Sequence, residues 1–528
     1  MDISEIQKGL FLIHQGKFRE AEEYFLKLEE KNPDDANLLS TLGIFYAKCG
    51  DYIKACNYFE KAYGINKTEG NISAWAEAEF RAGDWIRAAH LYEKVIEQNE
   101  SEEYYDKLVQ SEINIHNFKK ATEFVERMYA LYSDSETAQA QKINVLTKTG
   151  KLLEAEQLCV ELLKQKQESP QLWQRLGLLK ELIYSDDRQA KECYKISAQY
   201  GNPASDYNIG VCCTKLGEFE EANIYFKKML EKFPDNTAAI TSLSMNYLRD
   251  KNFKEGYELF AKRTDTNFPK DYKKLIMPGD NLEDEFYLLC DMGLGDNIQF
   301  IRYIPFIKNK KFKILAQKPM MNLFKYNYPE YDFVYADDFE LDFNIQSVRT
   351  TDLPYILDMD FDNIPSAEGY LDIDNPLDIK SDKLKVGLCW EAGGVGVRDA
   401  INRTINVKLL EPIFNLQNIQ TYSFQYEDTF GGNEKYPQMI NLAKDFKDFA
   451  DTARALKAMD LFITVDTSVA HLAGAMGVKT FLLLPYTTDW RWFHDTETTP
   501  WYKSIRIFKQ TNPVDWTDVI QRVVENIA

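Results

Sequence analysis

The chain has 528 residues, length for three or four domains, and its 45% apolar and 13% aromatic content excludes wholesale disorder. Acidic residues outnumber basic ones 83 to 63, a formal net charge of −20, which argues against general binding to nucleic acid or anionic membrane surfaces. No apolar run approaches the ~18–20 residues that span a bilayer. The opening stretch MDISEIQKGLFLIHQGKF lacks the basic start of a secretory signal, and the eight cysteines form no CxxC pair and read as reduced thiols. Together these features predict a cytoplasmic protein.

The first half repeats with a period near 34. Gly16, Gly50, Gly83, Gly150 and Gly217 fall in one phase, with His116 and Ser185 near it in two further units. Five residues later comes a small residue, Ala21, Ala55, Ala88, Ala121, Ala155, Ala190 and Ala222 in turn. Four further on come Phe25, Phe59, Tyr92, Val125, Cys159, Tyr194 and Phe226. This is the pattern of paired helices. Apolar stripes recur at the helical period, alanine allows a close crossing, and glycine ends the first helix in a left-handed conformation. No unit can bury its own stripe, so the units must stack. The pattern resembles the tetratricopeptide repeat (TPR) family, with about eight units over residues 1–263 and the last one degenerate. The resemblance implies a concave face that takes extended peptide or a partner helix.

Residues 264–282 are polar with two prolines and read as a linker. Short apolar runs follow at Phe286–Cys290, Phe312–Ala316, Phe333–Ala336, Val386–Trp390, Thr421–Phe424, Leu461–Val465 and Thr480–Leu484, many of them separated by helical stretches. Alternating strand and helix predicts parallel sheet with both faces covered. Two units of this kind are expected, at 283–380 and 381–528, with DIDNPLDIKSDK as a connector. The predicted fold class is therefore α plus α/β: an all-α repeat solenoid, then two Rossmann-type subdomains facing across a cleft, as in the GT-B fold.

Ligands of open parallel sheets bind at the carboxyl ends of the strands, which directs attention to four loops. Gly293-Leu294-Gly295-Asp296 joins a strand to a helix, and on the bare motif Asp296 reads first as a helix cap. Val465-Asp466-Thr467-Ser468 runs from a strand into a helix carrying His471. Its hydroxyls and N–H groups suit a phosphate, and His471 shares their face, either as a ligand contact or as a core histidine. The stretch Glu391 to Thr404 holds Gly393, Gly394, Gly396, Arg398, Asp399, Asn402 and Arg403. It reads either as a loop closing on a diphosphate or as an exposed loop with solvated arginines. Asp489-Trp490-Arg491-Trp492, with Trp501 and Tyr502 downstream, either closes the domain or grips an anion or a sugar ring. The doublets Asp358/Asp360 and Asp372/Asp374 read as solvated turns rather than as a metal site.

In order and spacing, the motifs GLGDNIQFIRYIPFI, VGLCW, NRTINVKLLEPIF, YSFQ, DFADTA, DLFITVDTSVAHLAGAMG, LLLPYTTDWRW and PWYKSIRIF are similar to bacterial TPR proteins carrying a domain of glycosyltransferase family 9, the heptosyltransferases. The resemblance implies a metal-independent transferase that uses a nucleotide-diphosphate sugar as co-substrate, with no cofactor. It implies that Asp296 is the base on the acceptor hydroxyl. It implies that Gly293, Gly295, Arg403, Asp466, Thr467, Ser468 and His471 hold the donor, with Gln425, Asp489, Trp490 and Arg491 as further sugar or nucleotide contacts. The chain departs from the family at Asp291-Met292, where relatives carry glutamate or glutamine, and at Val397-Arg398, where they carry histidine. The expected function is transfer of a sugar to a protein recruited by the repeats, such as a flagellar or surface subunit. The alternatives are a lipopolysaccharide or capsule transferase, and a scaffold whose transferase half is degenerate.

Overall fold

The computed structural model describes residues 3–263, 275–342, 344–365, 367–393, 402–494, 496–513 and 515–527. Among them, sixteen helices form eight consecutive pairs, from Ile3–His14 with Phe18–Lys31 to Thr237–Arg249 with Phe253–Ala261. The N-terminal half is a TPR-like array. The seven phased alanines are completely buried, where helices cross. The residue between the helices of each pair has positive φ: Gly16, Gly50, Gly83, Gly150 and Gly217, and also His116, Ser185 and Lys251. Lys251 carries the phase into the eighth pair, and Gly256 there replaces the alanine. A Cβ at Gly256 would lie 2.8 Å from Leu248, so this crossing is tighter than the others allow for. Helix starts are held by side chains that accept backbone N–H groups, including Asp51, Asp84, Ser101, Asp186 and Asn236.

The chain divides into two compact units, Met1–Ser205 and Asp206–Ala528. The first contains six helix pairs, whose buried stripes make cores such as that of Ile72, Ala88, Tyr92, Leu108 and Val125. In the second unit, two further helix pairs precede an α/β region. Its first sheet has the order β3-β2-β1-β4, with β1 Glu285–Leu289, β2 Lys311–Ala316, β3 Asp332–Tyr335 and β4 Gln346–Arg349. The second has the order β10-β9-β8-β5-β6-β7, with β5 Leu384–Cys389, β6 Ile419–Ser423, β7 Ile440–Asn441, β8 Leu461–Val465, β9 Thr480–Leu484 and β10 Ile505–Lys509. All pairings between these strands are parallel. The seven apolar runs read as strands are strands. β4, β7 and β10 are additional to that reading.

Most of the expected linker, residues 264–274, lies outside the described residues. At its end Leu275 bridges in parallel to Ser347, and Ile276 N–H donates to Ser347 O at 2.9 Å. In the connector, Asp372 accepts from Lys457 Nζ at 2.6 Å; ahead of it, Asp360 accepts the N–H groups of Asp362 and Asn363 in a turn.

A buried cluster of four charges ties the last helix to the first sheet. Arg263 Nη2 donates to Asp291 at 3.0 Å and Nη1 to Asp352 at 3.1 Å, while Arg349 Nε donates to Asp352 at 2.5 Å. Arg349 also donates to the carbonyls of Ala261 and Arg263. Asp291 lies two residues past β1 and two before Gly293, so this cluster holds the start of the Gly293–Asp296 loop.

Candidate functional site

The second sheet reverses direction of growth at β5: the chain adds β6 and β7 on one side and β8, β9 and β10 on the other. That is a topological switch point, where loops leaving adjacent strands diverge and open a crevice. Arg403 and Asp466 meet there. Arg403 Nη1 donates to the Asp466 carbonyl at 2.9 Å, and the loop carrying Arg403 is pinned to β5 by Ile405 N–H donating to Trp390 O at 2.8 Å. Gly394, Val395, Gly396, Val397, Arg398 and Asp399, the middle of that loop, lie outside the described residues. Burial, followed by the Asp489 charge, pushes the Asp466 carboxyl up to about 7 against the pull of Arg403.

Thr467 caps the helix Ser468–Ala475 that leaves β8, and Thr467 and Ser468 are half-buried. His471, one turn along, is buried. Its Nδ1 is 2.9 Å from the Tyr502 hydroxyl, and its ring stacks on Trp492 with centroids 5.1 Å apart. Burial, then the Arg491 charge, hold its pKa down at about 3, so the imidazole is neutral. His471 is thus a packed residue, held between Tyr502 and Trp492 one turn from Thr467 and Ser468.

The helix Leu294–Phe300 packs on this helix with no gap. A Cβ at Gly295 would lie 2.8 Å from His471 Cδ2 and 3.3 Å from Ser468 Cα, so glycine is what allows the two helices to touch. Asp296 is thereby brought beside the loop that follows β9. Its Oδ2 accepts the Gly293 N–H at 3.1 Å, and its Oδ1 is bound by Arg491 Nη2. The cap reading is corrected in detail: Gly293 is the cap, and Asp296 turns back to hold its N–H. Burial raises the Asp296 carboxyl above its ordinary range, and Arg491 opposes that rise.

Arg491 Nη1 also donates to Asp489 at 2.7 Å, and its Nε donates to Gln299 Oε1 at 2.9 Å. Burial of Asp489 is outweighed by the Arg491 charge, which holds that carboxyl below its usual value. Two residues expected to touch the ligand are held by internal contacts. Trp490 is completely buried, edge-on to Tyr257 and Trp501, and offers no ring face to a ligand. The Gln425 amide accepts from the N–H groups of Trp390 and Glu391 and donates to the carbonyls of Glu391 and Glu427. With all four hydrogen-bonding positions filled, it braces the loops after β5 and β6.

Sequence reasoning missed Gln299, Arg302 and Tyr370. Arg302 is buried, donates to Gln299 O, Trp501 O and the Tyr370 hydroxyl, and lies over the Tyr502 ring. The visible signal was the polar pair Gln299 and Arg302 inside an otherwise apolar helical stretch.

Two family models match short segments: the tetratricopeptide repeat at residues 36–69 and the PPR repeat at residues 211–232. Similar solved structures include a tetratricopeptide repeat protein from Parabacteroides merdae, at 17% identity over 46% of this chain and 97% of that one, TM-score 0.39. The C-terminal part of a TPR repeat-containing protein from Cytophaga hutchinsonii matches at 16% identity over 45% and 99%, TM-score 0.35. Yeast Tom70 matches at 17% identity over 46% and 54%, TM-score 0.39. No curated protein sequence matches the chain. Among the described residues, no helix is long and apolar enough to cross a membrane.

Proposed function

We propose that the protein is a glycosyltransferase of GT-B type, related to family 9, that moves a sugar from a nucleotide-diphosphate sugar to a protein presented by the TPR array. In this reading residues 283–380 are the acceptor side and 381–528 the donor side, and the enzyme works in the cytoplasm. The observation that carries it is the convergence of Asp296 from one parallel sheet with Thr467, Ser468, His471 and Arg403 from the other, all at carboxyl ends of strands.

The acceptor O–H gives its proton to the Asp296 carboxylate as its oxygen bonds to the anomeric carbon. The bond from that carbon to the diphosphate breaks, and the electron pair leaves on the phosphate. Arg403 and the N–H groups at Thr467-Ser468 stabilise the leaving charge, and His471 does so as a neutral hydrogen-bonding group. These fixed donors make a metal unnecessary. Asp296→Ala is expected to lower transfer by at least a hundredfold while nucleotide binding is retained. The check is a mass-spectrometric transfer assay beside a binding measurement; undiminished turnover removes Asp296 from the base role.

A second reading, a TPR scaffold without catalysis, is favoured by the ion pair that occupies Asp296. In it the site is a fossil, and the repeats alone bind protein partners.

A further inference from the structure

We propose that Arg491 is a positioning residue that fixes the Asp296 carboxylate for proton acceptance, with Asp489 as the counterweight that divides its charge. The proposal rests on the transferase reading and names the regulation of that same site. Arg491 has nearly no freedom. Its three guanidinium nitrogens are engaged by Asp296, Asp489 and Gln299, its backbone N–H donates to Asp489 Oδ1 at 3.0 Å, and its carbonyl accepts from Trp501 Nε1 at 2.9 Å. The guanidinium lies over the Trp490 ring, 4.6 Å from its centroid.

Gln299 is completely buried, and among the described residues its Nε2 has no hydrogen-bond partner. A buried amide left half-satisfied costs stability, so the arrangement is bought with something other than packing. What Gln299 does is orient Arg491.

Exposure falls from Asp489 at 32% through Asp296 at 18% to Arg491 at 9%. The guanidinium is therefore the least exposed of the three groups. Asp296 keeps some exposure while its orientation is fixed by Arg491 on Oδ1 and by the Gly293 N–H on Oδ2.

Among the described residues, two further charged groups act on Asp296. Asp489 lies on the same loop as Arg491, and Arg263 approaches from the end of the last array helix. His471, neutral, lies against Gly295 from the Ser468–Ala475 helix, and Asp466 and Arg403 stand beyond it. Removing Arg491 takes away the cation in direct contact and makes Asp296 harder to ionise. Removing the Asp489 charge leaves Arg491 wholly to Asp296 and makes it easier to ionise.

The test is the pH profile of kcat/KM for sugar transfer by the full chain, in wild type, R491K, R491Q and D489N. The acid limb is expected to move up by at least one pH unit in R491Q, less in R491K, and down in D489N. A purely structural role predicts no opposed movement. Acid limbs that coincide with wild type, or that move the same way in R491Q and D489N, overturn the proposal. Should R491Q fail to fold, D489N decides alone: a limb that stays or rises overturns it. If wild type transfers no sugar from any nucleotide-diphosphate sugar, the transferase reading fails instead. The Asp296 titration is then followed by the infrared carboxyl band that D296N lacks, and the same opposed shifts are required.

Discussion

Gly295 has no room for a side chain. An added methyl meets both the His471 ring and the Ser468 backbone, and backbone cannot swing aside. Gly295→Ala is expected to cost about 1–3 kcal/mol of stability, the usual toll of overpacking, measured as a drop in thermal midpoint. A midpoint within experimental error of wild type would show that the two helices are not in the contact described. Asp466 and His471, neighbours in the same loop and helix, pull stability in opposite directions with pH. The folded chain holds a proton on Asp466 up to about pH 7, whereas the unfolded chain releases it near 4. Stability from that group is therefore present at low pH and lost as pH rises from 4 to 7. His471 stays neutral in the fold down to about 3, while the unfolded chain takes up a proton near 6.5, so its contribution is lost as pH falls through that range. Asp466→Asn should thus raise the thermal midpoint at pH 8 and lose that advantage at pH 5. His471→Asn should show its largest deficit at pH 8 and a smaller one at pH 4.5. Midpoints read by fluorimetry across pH 4.5–8.5 check both signs.

At the scale of elements, the Arg263–Asp291–Asp352–Arg349 cluster fastens the last helix to the first sheet, with all four side chains at most 1% exposed. Arg263→Ala leaves two aspartates buried with one cation between them, a change that costs about 3–5 kcal/mol. Burial pushes Asp291 up to about 6, so the loss should shrink at pH 5, where Asp291 takes a proton and needs no partner. Denaturant unfolding at pH 7.5 and pH 5 checks this; equal losses at the two pH values contradict it. The same cluster explains what sequence reading could and could not reach. β1, β2, β5, β8 and β9 are apolar and announced themselves. β4 is Gln346-Ser347-Val348-Arg349, buried yet polar, because Gln346 bonds the chain at Asn281 and Glu283 and Arg349 serves the cluster. β7 is two residues long, and the five-residue β10 carries two charged residues, Arg506 and Lys509. The helix array was legible because its period repeats a steric demand. His116 and Ser185 were found in phase, whereas Lys251 was hidden by a side chain that rarely adopts positive φ. Of the site, Asp296, Arg403, Asp466 and His471 stood in short motifs at strand ends. The bonds from Arg491 to Asp296 and Gln299 join residues 195 and 192 positions apart, a distance over which no local pattern speaks.

At the scale of the molecule, a repeat array of the kind that binds proteins precedes two parallel sheets whose strand ends gather fixed donors and one half-buried carboxylate. The seventh and eighth helix pairs belong by packing to the same unit as the sheets. Within it, Thr487 donates to Lys215 O, Arg249 to Thr488 O, and Phe253 stacks on Trp501. The loop that carries Arg491 is therefore supported by the last repeats themselves. The claim on which the account depends is that an activated sugar binds where β8 turns into its helix. Calorimetric titration of the full chain with a panel of nucleotide-diphosphate sugars tests it directly. The account predicts saturable heat with at least one of them, weakened at least tenfold by Arg403→Ala and little changed by Asp296→Asn. Absence of heat with every member of the panel contradicts it and leaves the TPR array as the functional part of the chain.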